Sequence, residues 1–593
     1  MLHKNIDCFY FSIHYCYNSL QMKNPSSRLF SSIIFFLLFL IILSIVYSPV
    51  LCFDYVFHDD TFFWVKLKEF TPVHYFHNDG MAECRYGYAL LLDLENFFVH
   101  KASDLKLFRF LALAISCANA CLLWKQLQRW SFSDIQAFLI ISAIFFFPGF
   151  ANIFFGASYS YSLAITVYLA TLSFYIAETR QEFMTPALIF LIAITIYPSA
   201  SMFYWTMAGM YILFGNERYG VLFKRNLLRF LAVGLTSLSI YAISVFFMHY
   251  YFSDKAPNSM YNPYSITSEW LSKLQWFFKE PLENATNLWN ILPTPAVSIL
   301  VLGFIVLTAL VMTAKKLFQV DPQKKKELAL TYLWQLSVFI LIFFLTFLPN
   351  LAAKENMAAY RCLIPLTSLI WLALIWSTFQ WTKLLPMAAA RGSLLVFLSV
   401  AVVFAGTKTF NSVFYCRVLP SYIEYNAYKA LAKEILSRKI DAIYINLPNH
   451  LSSERYDEFN IITSQYPWDI YHLLYCALIE TGKQKQYFLP PIYYRETRIQ
   501  SKYFLPSAYF SEPTNNTFQL KELYVSRLPG GKTLEMDLDN EYQFFEAVYF
   551  NSKNIPGFET AMAFPVSKRL PKNQNWHILN LKDLFSSSNY QSY

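Results

Sequence analysis

Charge is scarce in this sequence. Only 15% of its 593 residues are Asp, Glu, Lys or Arg, against 56% hydrophobic and 19% aromatic, a balance too apolar for a soluble protein of this length. The chain reads as a multi-span membrane protein whose surroundings are a lipid bilayer. The formal net charge of +9 does not point to nucleic acid, because the clustered Lys and Arg lie in short segments between apolar runs, where they orient helices. No free basic arm remains to bind DNA or RNA. The 9 cysteines lack C-x-x-C or Cys/His finger spacing, which excludes a zinc finger and a legible disulfide framework. Cys117 and Cys121 fit small packing residues of an apolar helix, while a bridge among Cys52, Cys84, Cys416 and Cys476 stays open. A Gly-rich phosphate loop, a nucleophile elbow and internal repeats are also missing. His74, His77 and Asp79 resemble a metal cluster in spacing only.

What the chain has instead is a series of long apolar runs. The first, residues 29–53, carries no charge and is longer than the core of a signal peptide, so it reads as a retained signal anchor after a cytoplasmic N-terminus, 1–28. Further spans are expected near 105–124, 135–151, 157–177, 184–197, 199–215, 230–252, 295–314, 329–348, 361–379 and 387–406, about eleven in all. Between 184–197 and 199–215, Tyr197-Pro198-Ser199 should end one helix and turn the chain. The spans are nearly free of charge. Alternating them from an inside N-terminus sorts the connecting loops into two sets. One holds Lys125, Arg129, Arg180, Arg218, Lys224, Arg225, Arg229, Lys315, Lys316, Lys324, Lys325, Lys326 and Lys383 and is cytoplasmic by the positive-inside rule. The other holds the loop 54–104, tight turns at 151–157 and 197–199, the aromatic segment 253–294 and the loop 350–360, all placed outside. Trp270, Trp276 and Trp289 in that segment suit an interfacial helix.

The first span ends in His58-Asp59-Asp60, two adjacent carboxylates delivered to a membrane interface, able to act as general base, hydroxyl acceptor or metal ligand. A second apolar stretch begins at Tyr86, stops at Asp93 and Glu95 and is too short to span, as in an interfacial helix. From about 421 the composition changes. Helical periodicity at 423–439 and 467–482, with strand-like runs at 440–447, 518–525 and 576–581, suggests that 407–593 is an extracytoplasmic soluble α/β domain.

Four short stretches occur in a definite order: His58-Asp59-Asp60, Arg85-Tyr86-Gly87, Ile196-Tyr197-Pro198-Ser199-Ala200 and Tyr360-Arg361-Cys362-Leu363-Ile364-Pro365. The set resembles the GT-C membrane glycosyltransferases, and most closely the polytopic Gtr-type glucosyltransferases that decorate bacterial O-antigen. It covers about the first 400 residues, with Pro198 where the family turn often has Gln. The resemblance implies a GT-C-like transmembrane catalytic domain over 29–406 in the bacterial inner membrane, its active site facing the periplasm. It implies inverting transfer of a glucose-like sugar from a polyprenyl-phosphate-linked donor to a glycan acceptor. Asp59 or Asp60 would be the base, and Arg85, Lys354 and Arg361 the cations for the departing phosphate, with His58 and Tyr197 as further substrate-binding residues. No cofactor is expected, and a divalent metal stays open. The competing functions are a transporter or flippase, and a polymerase or ligase, of lipid-linked glycans; the first would favour ionisable residues in mid-span.

Overall fold

A computed structural model describes residues 25–57, 60, 85–130, 132–156, 159–215, 221–252, 267–290, 294–319, 322–354, 356–437, 442–446, 467–482, 492–495, 544–546, 565–566 and 576–580. The apolar runs are helices. The first forms α1 (Pro25–Val46) and, after a break at Tyr47, a short α2 (Ser48–Cys52) with proline in its first turn. The stretch after Arg85 forms α3 (Tyr86–Phe98), which runs through Asp93 and Glu95 instead of stopping at them. α4 (Leu105–Arg129) follows, then α5 (Asp134–Phe145) and α6 (Pro148–Phe155). The reciprocal hydrogen bonds of Ser133 and Gln136 cap the start of α5. Pro148 opens α6, and the pair α5–α6 is bent by 67° where one straight span was expected.

α7 (Ser160–Thr179) is a full span, whereas α8 (Met184–Ile196), the single turn α9 (Pro198–Ser201) and α10 (Phe203–Phe214) make a short hairpin. At ~1.5 Å per residue, the 13 residues of α8 and the 12 of α10 reach only about 20 Å, short of a ~30 Å hydrocarbon core. The turn between them is buried, with Tyr197 extended and Pro198 opening the next helix. The two expected spans are therefore two short legs that meet inside the protein.

Next come α11 (Val221–Phe252), α12 (Trp270–Lys279), α13 (Pro281–Thr286), α14 (Pro295–Phe318), α15 (Pro322–Leu345), α16 (Leu348–Ala352), α17 (Tyr360–Thr382) and α18 (Met387–Val413). A π-turn, Phe414–Val418, joins α18 to α19 (Leu419–Ser437), so helix continues past 406, where the membrane part was expected to end. Among the described residues seven helices are long and apolar enough to cross a membrane, or eight if the bent pair is one span, fewer than the eleven expected. The protein is a helical, multi-pass membrane protein.

Central and peripheral helices differ in what they face. The apolar window of α17 is 78% buried and that of α14 only 11%, so α17 is a core helix and α14 presents its apolar surface outward, as toward lipid. Trp289 belongs to this core rather than to the α12 face: its indole donates to the Ala143 carbonyl at 3.0 Å and packs on Phe147 and Trp371.

Contacts between connections define the two ends of the bundle. At one end Gln126 and Arg129 meet Glu178, Arg225 meets Gln181 and Arg229 meets the Ala177 carbonyl. At the other, Tyr55 meets Phe155, Arg85 meets Tyr197, Arg361 meets Tyr159 and Ser199 meets Asn350. Each group of contacts joins loops that charge assigns to one set in the sequence.

Beyond α19 the described elements are β1 (Ala442–Asn446), α20 (Pro467–Gly482), β2 (Ile492–Arg495), β3 (Phe544–Glu546), β4 (Pro565–Val566) and β5 (Trp576–Asn580). The strand order is β4-β3-β2-β1-β5; β1 is parallel to β2 and β5, with Ile443 opposite Ile492 and His577. The expected strand at 518–525 lies outside the described residues. None of the described cysteines is in a disulfide.

Candidate functional site

Asp60 sits where the chain leaves α2 and closes a tight turn: its N–H donates to the Phe57 carbonyl at 2.7 Å, and its Oδ2 accepts from the Phe57 N–H at 3.3 Å. Only 2% of Asp60 is exposed, and a carboxylate in that position needs a cation. Arg109, fully buried in the second turn of α4, supplies it: one guanidinium nitrogen lies 3.4 Å from Oδ2 and donates to the Tyr55 carbonyl at 3.1 Å. The guanidinium also lies 3.7 Å from the centre of the Tyr55 ring.

Glu95 joins this group from α3. It is 5% exposed and its Oε2 accepts no hydrogen bond; burial pushes its carboxyl well up and the Asp60 charge pushes it further, while Arg109 pulls it down. Asp93, half-buried on the same helix, is raised by burial to about 6. The Tyr161 hydroxyl donates to the Leu91 carbonyl and pins α3 to α7. Arg417, in the π-turn, lies 3.9 Å from the Phe57 ring centre and 4.8 Å from that of Phe155. Two buried guanidinium groups thus hold this stretch, Arg109 from α4 at Tyr55 and Asp60 and Arg417 from the π-turn leading into the tail at Phe57.

A second group lies at the same end. Arg85, half-buried at the start of α3, stands 5.1 Å from the ring centre of Tyr197 in the turn that joins the two short legs. Gly87 makes this approach feasible: a Cβ there would lie 2.7 Å from Thr195 Oγ1 and 2.8 Å from Ile196 Cγ1, so α3 rests against the last turn of α8. Arg361, in the first turn of α17, stands 5.2 Å from the Tyr159 ring centre. Burial pushes the Tyr197 hydroxyl up, with Cys362 adding to it, while the Arg361 and Arg85 charges pull it down. Pro365, one turn on in α17, cannot donate to the Arg361 carbonyl.

The two groups share the segment between α6 and α7. Phe155 touches Tyr55 and Phe57 of the first, and Tyr159 touches Arg361 of the second. Of the residues singled out in the sequence, Arg85 and Tyr197 are brought together, and Arg361, against Tyr159, and Asp60 lie at the same end. Lys354 is exposed beyond α16 and bonds to none of them among the described residues. His58 and Asp59 lie outside the described residues, as do His74, His77 and Asp79. No group of three or more His, Cys, Asp or Glu side chains that could hold a metal converges among the described residues.

Glu95, Arg109 and Arg417 were missed in the sequence. Arg109 corrects the expectation of nearly charge-free spans: it lies inside the run 105–124, and an ionisable residue there is a functional candidate by default. Glu95 was noted only as the end of an apolar stretch. Arg417 carried no signal, because the π-turn that buries it has no sequence signature.

A scan against protein-family models matches no family, and a search of curated proteins returns no match.

Proposed function

We propose that the protein is a membrane glycosyltransferase that moves a glucose-like sugar from a polyprenyl-phosphate donor to a surface glycan such as O-antigen, at the periplasmic face of a bacterial inner membrane. The observation that supports it most is that Arg85, against Tyr197, and Arg361, against Tyr159, stand at the end of the bundle that also holds Asp60. Opening the bond between a sugar C1 and phosphate leaves charge on the phosphate, which two guanidinium groups at a half-buried site can stabilise. The acceptor hydroxyl must lose its proton to a carboxylate, and the acidic pair Asp59–Asp60 carries that part of the proposal. Sidedness follows from the Lys- and Arg-rich loops, which lie at the opposite end of the helices and belong in the cytoplasm. In this arrangement the tail after about 407 is an extracytoplasmic α/β unit that assists acceptor or partner binding.

Transport is the less suited alternative. Arg109 lies only about 6 Å along α4 from its first residue, away from the midplane where translocation paths run. The test is analysis of surface glycans from cells lacking the gene and cells complemented with each variant at equal protein level. Wild type should restore one sugar, and the variant that removes the base should lose ~10²- to 10⁴-fold in transfer. Wild-type transfer by both Asp59→Asn and Asp60→Asn would overturn the mechanism.

A further inference from the structure

Asp60 and Arg109 together do one thing that neither does alone. Arg109 reaches both ends of the segment 55–60, bonding the Tyr55 carbonyl at 3.1 Å and the Asp60 carboxylate at 3.4 Å while its guanidinium covers the Tyr55 ring. The Tyr55 hydroxyl then donates to the Phe155 carbonyl at 2.7 Å, and Phe57 stacks edge-on against Phe155. The exit of the first span is thereby tied to the segment that also carries Tyr159 and, through it, Arg361. Asp60 has spent its Oδ2 on Arg109 and on the Phe57 N–H, and both side chains of the pair are fully buried. A glycan hydroxyl cannot reach a carboxylate enclosed in this way. Removing the acceptor's proton there would also neutralise the partner of a buried cation, leaving Arg109 uncompensated.

We propose that Asp60 and Arg109 are a positioning pair that holds the start of the first outer loop, and that a different carboxylate takes the acceptor's proton. The proposal deepens the glycosyl-transfer reading and rests on it. Glu95 does not replace Asp60 as the base, since its side chain is itself buried and closed to an acceptor hydroxyl. Asp59, which lies outside the described residues, is the other carboxylate of the acidic motif and takes the base's place in this proposal.

A double-mutant cycle on the reconstituted full-length protein separates positioning from proton transfer. Asp60→Asn and Arg109→Gln each leave one buried charge unpaired and displace the loop, so each should lower kcat by about 10²-fold. The double variant removes both charges and should regain roughly ten-fold or more over either single variant. A base cannot be rescued by deleting its partner, so a double variant as inactive as Asp60→Asn overturns the proposal. Heat resistance of the same variants in detergent is measured alongside and needs no substrate. There too the double variant should be more resistant than either single one, and additive losses would count against the pair. If wild type discharges no polyprenyl-phosphate sugar while the stability cycle still shows coupling, the proposed reaction fails and the buried pair stands. Should Asp60→Asn not accumulate, Asp60→Glu with Arg109→Lys, which keep the charges and exchange the lengths, serve the same cycle with the same expected recovery.

Discussion

Gly87→Ala adds one methyl group where two helices touch. Its Cβ would meet Thr195 Oγ1 at 2.7 Å, Ile196 Cγ1 at 2.8 Å and the Ile196 backbone nitrogen at 3.2 Å. Thr195 cannot turn aside cheaply, because its hydroxyl donates to the Ile192 carbonyl at 2.8 Å, and Ile196 is buried against the turn at Tyr197. Forcing a methylene into a packed contact costs about 1–3 kcal/mol. Replacing Gly by Ala inside a helix returns about 0.5–1 kcal/mol, and less in a first turn such as this. The contact wins, so a net loss of about 1–2 kcal/mol is expected. In a domain of a few hundred residues that lowers the midpoint of thermal unfolding by roughly 2–8 °C. Because Arg85 lies two residues earlier, just before α3, the same displacement should loosen its approach to Tyr197 and raise KM for the proposed donor. Heat challenge in detergent followed by size-exclusion chromatography reads the first effect, and donor titration reads the second. An Ala variant as heat-resistant as wild type, or more so, would refute the claim that α3 is seated on α8 at Gly87.

Two other perturbations follow from the same end of the molecule. Burial raises Asp93 from its ordinary 3.8 to about 6 and raises Glu95 as well; the folded state then binds more protons than the unfolded one, so stability should fall as pH rises from about 4 to about 6. Heat-resistance curves across that window test it, and Asp93→Asn should flatten the fall; a wild-type curve that rises through the window contradicts the sign. Glu480 on α20 accepts from the Ala102 N–H at 3.0 Å and the Tyr425 hydroxyl at 2.8 Å, and pairs with Lys429 at 2.5 Å. Glu480→Ala should release α20 from the turn that opens α4, seen as faster protease cleavage after α19; unchanged cleavage would show that α20 is held by packing alone.

Much of the architecture was legible because apolar runs announce helices and Lys and Arg announce loop sets. Tyr197-Pro198 marked a turn for a mechanical reason, since proline opens a helix more readily than it continues one. The depth of that turn was not legible. Residues 184–215 are apolar whether they face lipid or protein, so hydropathy alone could not show that α8 and α10 stop short inside the bundle. The long helix across 387–437 hid a change of setting, because a helix continues wherever propensity allows while the polar content rises along it. At the candidate site, the stretches that carry Arg85, Tyr197 and Arg361 stood out in the sequence as short motifs. The bond between Asp60 and Arg109 was not, since it joins residues 49 apart in the chain and one Arg in an apolar run barely changes the average around it. Glu95 was visible as a charge, but its burial beside Asp60 depends on how α3 packs against α8 and α7.

The most direct measurement of donor chemistry is chromatography of the lipid product after wild-type protein in liposomes is given polyprenyl-phosphate-glucose with and without a glycan acceptor. If the proposed glycosyl transfer is right, polyprenyl monophosphate should be released only when acceptor is present, and Asp59→Asn should abolish the release. Intact donor with wild-type protein and acceptor present, or release unchanged in Asp59→Asn, would contradict it.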